Sequence, residues 1–223
     1  KKVAVGSEDG TEALYEADHI IIATGARARE LPSLPHDGKN VIGYREAMTL
    51  SKQPKKMIVV GSGAIGVEFA YFYNAMGTDV TIVEYMPRIV PLEDEEISKQ
   101  MERSFIKSGI KVITSAEVTK VDTSGKGVKA TVKTDKGEEV ISADIVLSAV
   151  GIKTNIENIG LEELGIATDQ DKIIVNDFYQ TSLPGYYAIG DITSGQALAH
   201  VASAEGIVCV EKIAGQHIEP IDY

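Results

Sequence analysis

Apolar residues fall in short blocks, and the blocks follow two rhythms. Met57-Ile-Val-Val60 is apolar throughout and β-branched at three of four positions, which predicts a parallel strand covered on both faces. It runs without a break into Gly61-Ser-Gly63-Ala-Ile-Gly66. Beyond it, Val67, Ala70, Tyr71 and Asn74 recur at helical spacing and predict a helix stopping near Gly77. Residues 78–84 predict a second strand ending on Glu84. Pro91 and the acidic turn Glu93-Asp-Glu-Glu96 open a helix that reaches Ser108-Gly109, and residues 110–114 form the next strand.

The flanking sequence reads the same way. Residues 2–5 and 12–16 pair as a hairpin around Gly6-Ser-Glu-Asp-Gly10. Residues 17–25 predict a buried strand ending on Thr24-Gly25. Leu31-Pro-Ser-Leu-Pro35 cannot continue a regular element and reads as a connector between domains. Residues 45–50 form a short helix. Strands at 117–121, 128–134, 139–141 and 144–150 are separated by polar turns at 124–127 and 135–137, a spacing that fits a three-stranded antiparallel excursion from a doubly wound sheet. Ala143-Asp144, an apolar run and Gly151 echo Ala17-Asp18, an apolar run and Gly25, which suggests two related nucleotide-binding units. A short helix at 161–165 and strands at 173–175 and 185–191 follow. A last helix at 198–214 carries Ala202, Gly206, Cys209 and Ile213 on one stripe, so Cys209 reads as a small core residue.

The chemistry centres on the glycines. Gly61 permits a tight turn off the strand, Gly63 lets a pyrophosphate approach the backbone, and Gly66 lets the helix pack close to the sheet. The helix N-terminus offers N–H groups and a positive dipole end to phosphates. Glu84 stands 18 residues beyond Gly66, where a carboxylate accepts hydrogen bonds from both adenine-ribose hydroxyls and repels a 2′-phosphate. The pattern therefore selects NAD(H) over NADP(H). Arg88, four residues on, reads as an exposed loop arginine.

Composition narrows the field little further. A net charge of −11 argues against nucleic acid or an anionic membrane as partner. No apolar run approaches the ~20 residues that span a bilayer, and no signal pattern opens the chain. One cysteine in 223 residues forbids an intrachain disulfide and fits a reducing, cytoplasmic setting.

The ordered set Ile22-Ala-Thr24-Gly25, Gly61 to Glu68, Val83-Glu84-Tyr-Met-Pro-Arg88, Ala149-Val-Gly151 with Asn155, Tyr187-Ala-Ile-Gly190-Asp191, and Leu198-Ala-His200 with Glu205-Gly206 resembles the pyridine nucleotide–disulfide oxidoreductases. It is most similar to the members that oxidise protein-bound dihydrolipoamide with NAD⁺. The resemblance implies an α/β, Rossmann-like architecture with two dinucleotide-binding domains, parallel sheets and the antiparallel excursion. FAD would sit in one domain and NAD in another inserted into it. It assigns Gly61, Ser62, Gly63, Ala64, Ile65, Gly66, Val67, Glu68, Glu84, Val118 and Gly151 to NAD, with Glu68 near the nicotinamide end. It assigns Thr24, Gly25, Asp191, Ala197, Leu198, Ala199 and His200 to FAD, with Asp191 on the ribityl hydroxyls. It supplies no catalytic residue and no metal ligand.

The expected domains are 1–36, part of the FAD domain; 37–155, the NAD domain; and 156–223, the later FAD domain and a linker. Two departures stand out. Gly151-Ile-Lys-Thr-Asn155 replaces the family's Gly-Arg-x-Pro-Asn. The first G-x-G-x-x-G, the Cys-x₄-Cys redox pair and the C-terminal dimerisation domain with its His-Glu pair have no counterpart, so the chain reads as a middle portion that would not turn over lipoamide alone. The parent is expected to be a homodimer acting on lipoyl domains of 2-oxo acid dehydrogenase complexes. Another flavin disulfide reductase, of the glutathione- or mercuric-reductase type, and a non-catalytic nucleotide-binding module remain open alternatives.

Overall fold

A computed structural model describes every residue from Lys1 to Tyr223. The chain divides into two compact units, one made of residues 1–27 and 153–223, the other of residues 28–152. The first unit begins with the antiparallel hairpin β1 (Lys2–Gly6) and β2 (Glu12–Glu16), in the order the polar turn predicts. β3 (Ile20–Ile22) and β4 (Ala26–Ala28) follow.

The second unit opens with β5 (Val41–Ile42) and α1 (Tyr44–Met48). β6 (Lys56–Val60), α2 (Ala64–Ala75), β7 (Asp79–Val83), α3 (Glu95–Lys107) and β8 (Lys111–Ile113) come next. β9 (Glu117–Asp122), β10 (Val128–Thr134) and β11 (Gly137–Ala143) form the antiparallel excursion, and β12 (Ile145–Ser148) closes the unit. The main sheet runs β5-β12-β6-β7-β8, all parallel. β6 shows why its run is apolar throughout. Met57 and Val59 face a core with Val67, Ala70, Tyr73 and Phe105 of the helices. Ile58 and Val60 face a second core with Val118, Val128, Ala130 and Val132 of the excursion. Alternate side chains of one strand thus supply two cores. At the start of α3 the Asp94 carboxylate accepts the N–H groups of Glu96 and Ile97, so Asp94 is the cap and the acids after it form the first turn.

β13 (Ile152–Thr154) pairs with β4 where the chain passes between units. The first unit then continues through α4 (Leu161–Leu164), β14 (Thr168–Asp169), β15 (Lys172–Ile173) and β16 (Tyr186–Ala188). A 3₁₀ turn (Gly190–Ile192) leads to α5 (Ala199–Ile213). β16 and β3 pair in parallel, so the echo between residues 17–25 and 143–151 marks strands in two different units.

Several expectations shift. The α2 stripe is rotated: Gly66, Val67, Ala70 and Tyr73 are buried while Tyr71 is 61% exposed. The reason is Tyr73, whose hydroxyl donates to the Ala47 carbonyl and holds that face inward. β3 is only partly buried, because β16 is its one ladder partner and Ile21 points to the uncovered side. On α5 the deepest residues are Glu205, Val208 and Cys209, with Ala202, Gly206 and Ile213 half-buried. The strand expected at 173–175 is confined to Lys172–Ile173. Residues 28–36, read as belonging to the first domain, join the second unit because Leu34 is fully buried with Val41 and Ile58. Arg88 is half-buried, its guanidinium donating to the Pro91 carbonyl.

Candidate functional site

Three loops converge at the C-terminal end of the five-stranded sheet. β6 leads into Gly61, β7 into Glu84 and β12 into Ala149. The ladder runs on into them: Gly61 N–H donates to the Val83 carbonyl at 2.9 Å, and Ala149 N–H to the Val60 carbonyl at 2.8 Å. This is the end of an open α/β sheet where ligands bind.

The three glycines do different things. Gly61 has φ of +94°, and a Cβ there would lie 2.4 Å from the Ala149 carbonyl oxygen. A Cβ on Gly66 would lie 2.1 Å from the Gly61 carbonyl oxygen. A Cβ on Gly63 would meet no protein atom within 4 Å. The outer two make room for the protein itself, and the middle one faces open space. α2 begins there with Gly63 as its N-cap, no side chain capping it and no acid in its first turn. Its first N–H groups and dipole end are therefore free for an anion.

Glu84 lies beside this turn and is only 6% exposed. Its Oε2 accepts both the N–H (2.7 Å) and the hydroxyl (2.6 Å) of Ser62, a fully buried residue. Its Oε1 accepts the Met86 N–H at 2.7 Å. Spacing put the acid next to the glycine turn; nothing in spacing reveals that it also fastens that turn. Oε1, with one donor, keeps capacity for a further hydrogen bond.

The remaining residues of this group are distributed around the turn. Ala64 and Glu68 are exposed on α2, Ile65 is half-buried, and Val67 belongs to the core. Gly151 is exposed, and its carbonyl accepts the Arg29 N–H at 3.0 Å. Val118 is not on the open surface: its side chain packs with Val60 and Val83 in the core under the excursion.

The second group lies in the other unit. Thr24 and Gly25 follow β3, and Gly190-Asp191 follow β16, so the parallel pairing brings both turns to the same end of the two strands. Ile189 N–H extends this pairing to the Ile22 carbonyl at 3.1 Å. Asp191 is half-exposed; the Lys172 ammonium donates to its backbone carbonyl, and its carboxylate projects without a partner. Ala197, Leu198, Ala199 and His200 are all exposed at the start of α5, whose N-cap, Leu198, has no capping side chain.

Thr24 is tied to the chain where it returns after β13. Its hydroxyl donates to the Asn155 carbonyl (2.6 Å), and the Asn155 amide donates back to the Thr24 carbonyl (3.0 Å). Arg27 adds bonds to Asn155 Oδ1 at 2.6 Å and to Glu157 at 2.8 and 3.1 Å. The Arg27 and then the Lys153 side chains hold the Glu157 carboxyl down at about 2. In the turn that departs from the family pattern, Thr154 is buried and its hydroxyl donates to the Asp171 carbonyl. Thr154 and Asn155 thus anchor that turn.

Residues 1–206 match the family model of the pyridine nucleotide-disulphide oxidoreductases. The chain belongs to this family. It is 50% identical over 213 residues to a dihydrolipoyl dehydrogenase of Rhizobium etli, covering 95% of this chain and 44% of that protein. It is 46% identical over 222 residues to a dihydrolipoyl dehydrogenase of Chlorobaculum parvum, covering 99% and 47%. Among solved structures it resembles LpdA of Mycobacterium tuberculosis, with a TM-score of 0.88 at 32% identity over 98% of this chain and 47% of that one. The chain spans about half the length of the curated relatives it matches. The family's α/β fold, with parallel sheets and the antiparallel excursion, is the fold observed. No helix is long and apolar enough to cross a membrane.

Two residues outside the expected set hold the Asp191 turn: Lys172, and Glu205, whose Oε2 accepts the Gly190 N–H at 2.6 Å. A signal for Glu205 was available. It lies three residues after Ala202 and four before Cys209, on the inward face of its helix.

Proposed function

We propose that this chain is the NAD-binding portion and the later FAD-binding portion of an FAD-dependent dihydrolipoyl dehydrogenase. The observation that carries the reading is the Gly63 gap. An uncapped helix N-terminus, a position where a side chain would meet only open space, and a buried carboxylate beside it form a cradle for a dinucleotide. The first N–H groups of α2 would bind the pyrophosphate, and Glu84 Oε1 would accept a ribose hydroxyl. The carboxylate would repel a 2′-phosphate, so the cofactor is NAD(H). Glu68 would border the nicotinamide end, and Val118 would back the site from the core.

In the other unit the free Asp191 carboxylate suits the ribityl hydroxyls of FAD, with Thr24, Gly25 and residues 197–200 around the same site. Bound FAD supplies two-electron transfer between a dithiol and NAD⁺. The α5 N-terminus, with no capping side chain, would offer its positive dipole end to that site and stabilise negative charge there. The overall reaction oxidises protein-bound dihydrolipoamide to the disulfide and reduces NAD⁺, releasing one proton. Disulfide exchange needs an attacking thiolate. Cys209 is fully buried, and burial pushes its thiol up, so it is not that group. The exchange would be carried by residues beyond these 223, and the chain alone would not turn over. The parent would be a cytoplasmic homodimer acting on lipoyl domains of 2-oxo acid dehydrogenase complexes.

The test is to assay the intact protein for NAD⁺ reduction by dihydrolipoamide and, in separate reactions, for NADH and NADPH oxidation by glutathione disulfide or mercuric ion. NAD⁺ reduction driven by dihydrolipoamide supports the reading. Turnover confined to glutathione disulfide or mercuric ion, or a preference for NADP(H), contradicts it.

A further inference from the structure

Glu205 is 1% exposed, halfway along the inward face of α5, and no cation pairs with it. Burying a carboxylate is costly unless its oxygens are satisfied. Here two donors meet it. Oε2 accepts the Gly190 N–H at 2.6 Å, and Oε1 accepts the Tyr223 hydroxyl at 2.7 Å. Tyr179 lies 3.0 Å from the Tyr223 hydroxyl and completes the chain. Burial, then its contacts with Tyr179 and Glu205, push the Tyr223 hydroxyl far above its ordinary range, so it stays a donor.

The same segment is held at other points. A Cβ on Gly190 would lie 3.3 Å from the Ala202 Cβ, and one on Gly195 would lie 3.3 Å from Glu205 Oε1. The turn from 190 to 195 is therefore seated directly on α5. Thr193 donates both its N–H and its hydroxyl to the Gly190 carbonyl at 2.9 Å. Every one of these contacts fixes backbone next to Asp191, while the Asp191 side chain is left unheld.

We infer that Glu205 is a positioning residue for flavin binding: by accepting the Gly190 N–H it fixes the turn that presents the Asp191 carboxylate to the ribityl chain. The inference rests on the reading of Asp191 as a flavin contact. A buried acceptor with no cation does work here that an apolar residue of the same size could not. It orients one backbone N–H, and through it the next residue.

The test is FAD affinity of the intact protein after flavin removal, for wild type, Asp191→Ala, Glu205→Gln, Glu205→Leu and Asp191→Ala/Glu205→Leu. Glu205→Gln keeps an acceptor for Gly190 and can donate its amide to Tyr223, so it should bind FAD within about threefold of wild type. Glu205→Leu leaves the Gly190 N–H unpaired and should weaken FAD binding by about tenfold or more. The double variant should lose less than the product of the two single losses, since both act through one contact. NADH affinity, read out in the other unit, should stay unchanged throughout. If Glu205→Leu does not fold, Glu205→Asp carries the test, because its carboxylate is one methylene short of Gly190 and should lose FAD affinity where Gln does not. Full FAD affinity in Glu205→Leu, strictly multiplicative losses, or a Gln variant as weak as Leu overturns the inference. Asp191→Ala removes the acceptor offered to the ribityl hydroxyls and should weaken FAD binding by about tenfold or more; wild-type FAD affinity in that variant overturns the reading beneath the inference instead.

Discussion

Ser62 donates twice to one oxygen of Glu84, from its N–H at 2.7 Å and its hydroxyl at 2.6 Å. The acid that follows the second strand of the glycine motif is therefore a fastening, besides the cofactor contact proposed for it. It pulls the residue between the first two glycines toward the neighbouring strand and keeps the turn shaped before any ligand arrives. Preorganisation of this kind lowers the ordering cost of binding.

Glu84→Ala should therefore lose stability as well as affinity. It strands the Ser62 N–H and hydroxyl in a buried position, a loss of about 1–3 kcal/mol. Ser62→Ala removes one donor and strands nothing, and should cost about 1 kcal/mol or less. Chemical denaturation of the two variants measures the difference. Equal losses would show that the carboxylate does not hold the turn.

The glycines separate packing from binding. Gly63→Ala has no protein atom to collide with and an ordinary φ of −66°, so its unfolding midpoint should match wild type. Its methyl group would occupy the space offered to the pyrophosphate, and NADH affinity should fall by at least about tenfold, ~1.4 kcal/mol. Gly66→Ala forces its Cβ against the Gly61 carbonyl oxygen and should destabilise the unit by several kcal/mol, about 3 or more. Calorimetry and NADH titration on both variants check the pair of outcomes. Equivalent destabilisation by both would remove the distinction.

Much of this site could be read in the chain because its parts are local. The run of Met57 to Val60, the glycine spacing and an acid after the next strand are contiguous patterns, and each fixes a backbone shape. What stayed hidden depends on which way a side chain turns. Tyr71 and Tyr73 suit an α2 stripe equally by hydrophobicity; the Ala47 carbonyl, 26 residues away in sequence, decides for Tyr73. Leu34 sits between two prolines and reads as linker, yet it fills a core completed by Ile58 and Val132. The bond from the Thr24 hydroxyl to the Asn155 carbonyl, 131 residues on, has no local signal either.

The bonds around Asn155 predict a pH dependence. Arg27 and Lys153 lower the Glu157 carboxyl from 4.5 to about 2 in the folded chain. A depressed carboxylate contributes stability above its unfolded value and loses it as pH falls toward the folded one. Glu157→Gln should thus lower the unfolding temperature slightly at pH 7, and the gap should close between pH 4.5 and about 2. A gap that widens on acidification would reverse the assigned sign.

Tyr73→Phe should cost about 1–2 kcal/mol, because it leaves the buried Ala47 carbonyl without its donor. Urea denaturation reads this directly. An unchanged midpoint would mean that the hydroxyl does not set the rotation of α2.

Parallel titrations of the 223-residue chain with NADH and NADPH test the central claim most directly. The glycine turn and Glu84 lie wholly within the unit of residues 28–152, so flavin is not required for the result. The arrangement predicts NADH binding at least about tenfold tighter than NADPH, a gap of ~1.4 kcal/mol, and a smaller gap in Glu84→Ala. Equal affinity for the two cofactors in the wild-type chain, or no binding of either, would contradict it.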